Sequence, residues 1–137
     1  MSATPEQSVS SDWQTRRRRL IRLGTDAEEV AAAVRVHDYV FGEMEAALAN
    51  RRWLAGEAFS LADIGVTPYV NRVEMLGMHA WIAAYPRVEA WFDRVRERPT
   101  FHPSFITWCP DDLIADLQNY GGQNWPAIQR MLKLEAA

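Results

Sequence analysis

Cysteine and lysine are almost missing from this sequence of 137 residues, in which each occurs once, as Cys109 and Lys133. A single cysteine excludes a disulfide within the chain and indicates a reducing, cytoplasmic setting. All other basic residues are arginine, and two explanations stay open. One is a GC-rich genome, and the other is a choice of guanidinium groups for bidentate contacts with anions.

Long apolar runs are missing too. No stretch reaches the roughly 18 apolar residues of a membrane helix, and the N-terminal stretch MSATPEQSVSSDWQ lacks the apolar segment of a secretory signal. The formal net charge of −3 gives no general attraction for nucleic acid. The consecutive arginines at 16–19 spread around the circumference of a helix and form no single basic face. We therefore expect neither a membrane nor a nucleic acid as partner.

Catalytic and metal-binding patterns are also missing. The histidines, His37, His79 and His102, lie far apart, and no paired histidine or cysteine spacing typical of a zinc site occurs. The sequence has no glycine-rich phosphate loop, no nucleophile elbow and no local signature of a catalytic triad. Cys109 is interpreted as a packed small residue, since the aspartates that follow it disfavour a thiolate. We predict no metal site and assign no catalytic residue.

Helical periodicity is what the sequence does contain. From Val30 to Leu48, apolar residues recur with the spacing of one helix face. Similar stripes, caps and terminating residues predict helices over residues 12–23, 26–50, 61–76, 86–98, 111–119 and 126–135, with Gly121 and Gly122 separating the last two. No alternating strand pattern occurs. The predicted fold class is all-α, a bundle of about five to seven helices over residues 11–137, after a disordered lead-in at residues 1–10.

The run RRWLAGEAFSLADIG, residues 51–65, predicts the start of a core helix. Ser60 is a natural N-cap, and Asp63 stands three residues later, as in a capping box. Phe59, before the cap, and Ile64 are placed to close a hydrophobic staple. Because the helix that follows is poor in charge, we expect it to be central and buried on most sides. These four residues are therefore assigned a structural capping role.

Two motifs carry a family resemblance. WLAGEAFSLADI, followed downstream by YPRVEAWFDRVRERPTF, resembles the helical C-terminal domain of the glutathione transferases, over about residues 26–103. In that family a thioredoxin-like N-terminal domain binds glutathione and carries the residue that activates its thiol. The helical domain supplies the pocket for the hydrophobic co-substrate and part of the dimer interface. The resemblance also implies that the matching serine and aspartate cap a core helix.

The present sequence has no strand pattern for the thioredoxin-like domain, so we expect a chain without it. Glutathione, implied by the resemblance alone, is then bound mainly outside this chain, which is expected to be inactive by itself. The resemblance places the first helix and the C-terminal segment around the co-substrate pocket. The candidate substrate-binding residues are Trp13, Arg16, Arg17, Phe105, Trp108 and Tyr120. Core packing is the alternative role for each of the aromatic residues.

Two functions stay open. The first is the co-substrate-pocket and dimerisation domain of a glutathione transferase-like protein, whose other domain lies upstream or on another chain. The second is a stand-alone, non-catalytic helical module for protein–protein assembly or for binding a hydrophobic ligand. Either function leaves an apolar face uncovered. We therefore expect a homo-oligomer, or a partner that is a thioredoxin-like domain or a second subunit, and a small hydrophobic ligand.

Overall fold

The prediction of an all-α fold is confirmed by a computed structural model, which describes the backbone of residues 5–134 and the side chains of residues 12–133. Within that range the chain forms six α-helices and no β-strand. The helices are α1 Pro5–Leu23, α2 Glu28–Ala47, α3 Leu61–Met75, α4 His79–Ala83, α5 Pro86–Arg96 and α6 Asp111–Leu134. Short 3₁₀ helices span Gly24–Asp26 and Leu48–Asn50, and a π-helix spans His102–Ile106.

The beginning of the chain differs from the expected boundary. Helix α1 begins at Pro5, whereas the apolar pattern placed the start of the first helix at residue 12. Proline is favoured in the first turn of a helix because its missing N–H is not needed there. Residues 1–4 of the expected disordered lead-in lie outside the described residues, and the division into a lead-in and one helical domain stays a prediction.

The packing divides the chain into two compact units. The terminal unit contains the described residues up to Val36 and those from Ala127 onward, and the central unit contains His37–Pro126. In the terminal unit, Arg19 of α1 pairs with Glu28 at 3.2 Å, near the start of α2. The central unit holds most of the large buried side chains, including Phe41, Trp91 and Phe92.

Helix α5 packs as its sequence predicts. Its stripe of Val88, Trp91, Phe92 and Val95 is fully buried. The N-terminal turn of α5 has no capping side chain of its own. Instead, Glu45 of α2 accepts the backbone N–H groups of residues 87 and 88, at 2.9 and 3.1 Å. A carboxylate from another helix therefore satisfies the N–H groups that every helix start leaves unpaired.

Helix α4 lies between the predicted helices 61–76 and 86–98, in a stretch where the sequence indicated no helix, because five residues are too few to show periodicity. Trp81 and Ile82 of this helix are buried. The indole N–H of Trp81 donates to Oδ1 of Asp38 at 2.9 Å, and the hydroxyl of Tyr85 donates to the same oxygen at 2.7 Å. Burial, with Asp38 and Glu45 nearby, raises the pKa of Tyr85, so its hydroxyl remains a donor.

The expectation that α3 is buried on most sides is wrong. One stripe, Asp63, Thr67, Val70, Asn71 and Val73, is buried. Leu61, Ile64 and Tyr69 on the remaining surface are exposed, and Leu61 reaches 84%. The neighbouring helices cover only one side of α3. The scarcity of charged residues in α3 therefore reflects an exposed apolar surface as well as a buried one.

The expectation of two short C-terminal helices is also wrong, since α6 continues through Gly121, Gly122 and Pro126. Gly121 of α6 is buried and packs against the C-terminal end of α3. A Cβ added to Gly121 would lie 1.9 Å from the carbonyl oxygen of Leu76. The glycine is required for close backbone contact and does not mark a break in the helix.

A candidate ligand groove along α3

The start of α3 is a hydrogen-bonded cap. Oδ2 of Asp63 accepts the N–H and the Oγ–H of Ser60, both at 2.9 Å, while Ser60 Oγ accepts the N–H of Ala62 at 3.3 Å. Oδ1 of Asp63 accepts the N–H of Leu54 at 3.0 Å and the indole N–H of Trp91 at 2.8 Å. Asp63 is fully buried, so its geometry supports structure and not ligand binding.

These contacts set the charge of Asp63. Burial is the largest influence and by itself raises the pKa of the carboxyl group. The hydrogen bonds donated by Leu54, Trp91 and Ser60 outweigh it together and hold the pKa of Asp63 below its ordinary value. The group is therefore an anion with all its acceptor positions in use at neutral pH.

A cavity of about 460 Å³ lies beside this cap, between α3 and the segment that follows α5. Its lining is largely apolar and aromatic, with hydroxyl groups at Thr67, Thr100 and Ser104 and one cation at Arg98. The lining residues are Phe59, Ile64, Thr67, Val95, Arg98, Thr100, Phe101, Ser104 and Phe105. The predicted staple residues, Phe59 and Ile64, thus both line this cavity, and Ile64 is half exposed.

Arg98 is the unusual residue of this cavity. Its guanidinium carbon lies 3.7 Å from the ring centre of Phe59 and 5.9 Å from that of Trp53. Its Nε is buried and has no hydrogen-bond partner, and no ion pair of Arg98 occurs in the described part of the chain. Buried polar groups are normally paired. The arrangement therefore favours a ligand that brings an acceptor or an anionic group to an apolar cavity.

A second cavity, of about 290 Å³, adjoins the first, because Ser104 and Phe105 line both. The remaining lining residues are Pro68, Asn71, Arg72, Met75, Trp108, Cys109 and Leu113. Together the two cavities form one groove along α3, which we call the α3 groove. The π-helix His102–Ile106 forms its opposite wall, and π-helical turns are frequent at functional sites.

The structure brings two of the six predicted substrate-binding residues together in this groove. Phe105 is half-buried and lines both cavities, and Trp108 is 79% exposed at the second. The indole N–H of Trp108 donates to the carbonyl oxygen of Pro103 at 2.9 Å, which fixes the ring beside the π-helix. Tyr120 is exposed on α6 and is absent from the lining of both cavities.

The other three predicted residues, Trp13, Arg16 and Arg17, lie on α1 in the terminal unit. All three side chains are exposed. The guanidinium of Arg17 lies over the ring of Trp13, 5.3 Å from its centre. This contact is a local cation–π pair within one helix.

Sequence reasoning missed Arg98 and Thr67 as lining residues. A signal for Arg98 was present, because it continues the buried stripe of Val88, Trp91 and Val95 at the next helical position. A cation at a core position is expected to have a partner. Thr67 carried no such signal, since its hydroxyl is used within the helix, where it donates to the carbonyl oxygen of Asp63 at 2.7 Å.

Two other properties of the described residues bear on function. No helix in this part of the chain combines the length and apolar character needed to cross a membrane. Over the same residues, histidine, cysteine and carboxylate side chains form no group of three placed to hold a metal ion.

Comparison with known proteins gives a family match. The family model for the glutathione S-transferase C-terminal domain matches residues 7–99. A tetrachloro-P-hydroquinone reductive dehalogenase of Sphingobium chlorophenolicum is 35% identical over 101 residues, which cover 72% of this chain and 41% of that protein. FtsZ-localized protein A of Caulobacter vibrioides is 32% identical over 92 residues, covering 63% of this chain and 38% of that protein.

A disulfide-bond oxidoreductase, YfcG, of Escherichia coli is 41% identical over 58 residues, which cover 38% of this chain and 23% of that protein. The chain thus spans less than half the length of these curated relatives. No solved structure gives a significant match.

Proposed function

Because this chain belongs to the glutathione S-transferase C-terminal domain family, we propose that it is the co-substrate-pocket and dimerisation part of a glutathione transferase-like protein in the cytoplasm, not catalytic by itself. The observation that carries the proposal is the α3 groove, whose adjoining cavities of about 460 and 290 Å³ have the size of a small-molecule site, about 300–1,000 Å³.

The chemistry of the groove supports a hydrophobic ligand. Phe101 and Phe105 provide stacked aromatic rings, with ring centres 5.1 Å apart and planes inclined by 28°. Val95 and Ile64 add apolar wall, and Arg98 is the charged group that faces the same cavity. An aromatic or aliphatic body fits these walls, and an electron-rich substituent fits the guanidinium.

Glutathione itself does not fit this lining. The tripeptide carries two carboxylates and an ammonium group, whereas the first cavity offers one cation and no carboxylate among its described lining residues. We therefore assign no contact with glutathione to the groove. Glutathione use comes from the family, and its binding belongs to a thioredoxin-like domain or subunit outside these residues.

The exposed apolar side chains support an assembly partner. Leu61, Ile64 and Tyr69 lie exposed on α3, and Tyr39 lies exposed on α2. Such residues favour association when they form a continuous surface. We propose that the chain self-associates or binds a thioredoxin-like domain through the exposed apolar side chains of α3.

Binding of a fluorescent probe tests the groove. The probe is 8-anilinonaphthalene-1-sulfonate, which has an aromatic body and one anionic group. We expect saturable binding to the whole chain and at least about tenfold weaker binding to the Ser104→Trp variant, because Ser104 is exposed and lines both cavities. Ala115→Trp adds the same indole at an exposed position of α6 and is the matched control. Equal affinities of the two variants would overturn the proposal.

The non-catalytic part has a separate test. We expect the chain alone to conjugate glutathione with 1-chloro-2,4-dinitrobenzene at the uncatalysed rate. A rate proportional to protein concentration, abolished in Ser104→Trp, would contradict this part of the proposal.

The alternative, a stand-alone assembly module, is favoured by one observation. A relative with 32% identity over 92 residues is named FtsZ-localized protein A. That name refers to another protein and not to an enzymatic reaction. Sedimentation velocity tests the assembly surface with Leu61→Arg, whose position is 84% exposed. Loss of self-association in this variant locates the assembly surface at Leu61 under either function. Self-association of a wild-type chain that does not bind the probe favours the module, whereas a wild-type monomer at high concentration refutes self-association under both functions.

A further inference from the structure

Four arginines surround a cleft in the central unit that shares no lining residue with the α3 groove. The cavity has a volume of about 240 Å³, and its lining residues are Leu48, Arg51, Arg52, Arg87, Ala90 and Arg94. The 3₁₀ helix Leu48–Asn50 and the two residues that follow it supply one wall. One face of α5 supplies the other, since residues 87, 90 and 94 follow helical spacing. We propose that this arginine cleft binds the phosphate group of a small molecule.

The positive charge of the cleft is only partly balanced by carboxylates of the described residues. The carboxylate beside it belongs to Glu45, whose Oε1 pairs with Arg87 at 3.2 Å. Oε2 of Glu45 accepts the N–H groups of residues 87 and 88, so this carboxylate is committed to the start of α5. The side chains of Arg51 and Arg52 are exposed and form no ion pair within the described range. Several like charges around one cavity repel each other unless an anion separates them.

Arg94 is held in a fixed position within the cleft. Its Nη2 donates to the backbone carbonyl oxygen of Arg52 at 2.8 Å, and its guanidinium lies over the ring of Trp53, 5.7 Å from the centre. Its Nε is buried and has no hydrogen-bond partner among the residues that the structure describes. A guanidinium that is already oriented loses little freedom when it binds an oxyanion through its remaining N–H groups.

The number and type of donors favour phosphate. A guanidinium binds two oxygens of a phosphate through parallel N–H groups, and a phosphate has enough oxygens for more than one such fork. The small cavity fits a compact anion, and the net charge of −3 on the chain opposes a long polyanion such as nucleic acid. The residues therefore point to a phosphate or diphosphate group carried by a small molecule.

Calorimetric titration of the whole chain with inorganic pyrophosphate tests the cleft, with sodium chloride added to keep the ionic strength constant. We expect saturable one-site binding, and binding about tenfold weaker or more in Arg51→Gln/Arg52→Gln. These side chains are exposed, so the double variant is expected to fold. Arg18→Gln/Arg22→Gln removes the same charge from exposed positions of α1 and serves as the matched control.

A parallel titration with ADP distinguishes the source of the phosphate. Equal affinities for ADP and pyrophosphate assign recognition to the diphosphate alone, whereas tighter binding of ADP shows that its adenosine part contributes as well. Either result supports the cleft if Arg51→Gln/Arg52→Gln binds both ligands more weakly. The proposal is overturned if wild-type protein shows no saturable binding of pyrophosphate, or if both double variants lose affinity equally. It is also overturned if a further titration shows that an oligonucleotide binds and pyrophosphate does not.

Discussion

The indole N–H of Trp91 donates to Oδ1 of Asp63 across 2.8 Å in the interior of the central unit. The same oxygen accepts the backbone N–H of Leu54 at 3.0 Å. One carboxylate therefore joins α5, the first turn of α3 and the segment that precedes it. A residue that the sequence identifies as half of a capping box is in fact the point where three segments meet.

Asp63→Ala is expected to destabilise the protein strongly. The lost cap accounts for about 1 kcal/mol, and the buried N–H groups of Leu54 and Trp91, left without an acceptor, each add roughly 1–3 kcal/mol. The free energy of unfolding, measured by urea denaturation, should fall by about 3 kcal/mol or more. Asp63→Asn keeps the acceptor at Oδ1 and is expected to lose less. A denaturation midpoint unchanged in Asp63→Ala would show that these hydrogen bonds contribute nothing.

Asp63 also predicts how stability depends on acid. Its folded-state pKa is lowered, while the unfolded value is near the ordinary one of about 3.9. The anion therefore stabilises the folded state above the unfolded pKa, and this contribution is lost as the pH falls through the folded pKa. The free energy of unfolding should decrease below about pH 5, and less steeply in Asp63→Asn. Parallel acid dependences of the two proteins would exclude Asp63 as a cause.

Gly121 and Gly122 are adjacent in sequence and are expected to respond oppositely to alanine. A Cβ at Gly121 would collide with the carbonyl oxygen of Leu76, whereas Gly122 is exposed with no atom within 4 Å of its added Cβ. Gly121→Ala should lower the free energy of unfolding by about 1–3 kcal/mol through overpacking. Gly122→Ala should raise it by about 0.5–1 kcal/mol, because alanine is the better helix former. Thermal denaturation of both variants, followed by circular dichroism, measures the difference; equal melting temperatures would contradict the contact.

The same glycine pair shows what the sequence can and cannot predict. Helix periodicity identified α2 and α5 because that signal lies within one element. The contact of Gly121 with Leu76 joins residues far apart in the chain, so local rules interpreted the glycines as a break. The uncovered side of α3 has a similar cause, since a run of apolar residues does not say which neighbours are present.

The candidate site could be predicted in part for related reasons. Phe105 and Trp108, which line the α3 groove, were candidates because the family resemblance places the C-terminal segment at the co-substrate pocket. Their role in ligand binding stays a prediction. Arg98 was missed because its guanidinium contacts the rings of Phe59 and Trp53, which come from another part of the chain. The sequence alone does not show that these rings, and not a carboxylate, are its neighbours. The arginine cleft was missed because its arginines come from two separate parts of the chain and meet only after folding. A sequence shows directly only the arginines that are consecutive, as at residues 16–19.

His79 predicts the behaviour of the protein at higher pH. Its Nδ1 lies 2.7 Å from Oε2 of Glu74, and its Nε2 lies 2.9 Å from Oε1 of Glu89. The pKa of His79 is raised, mainly by the hydrogen bond with Glu74. Burial lowers the pKa, whereas the charge of Glu74, the hydrogen bond with Glu89 and the charge of Glu89 raise it further. Arg96 also faces this group, through Glu74 at 3.5 Å.

The imidazolium thus joins the end of α3 to α5 while it is protonated. Because the folded pKa is raised, its stabilising contribution is complete below the unfolded pKa of about 6.5 and is lost as the pH rises through the folded pKa. The stability difference between wild type and His79→Gln should therefore be larger at pH 6 than at pH 9. Denaturation at both pH values measures it, and an NMR titration of the imidazole should give a midpoint above 6.5. A midpoint at or below that value would show that solvent screens both carboxylates, because His79 is partly exposed.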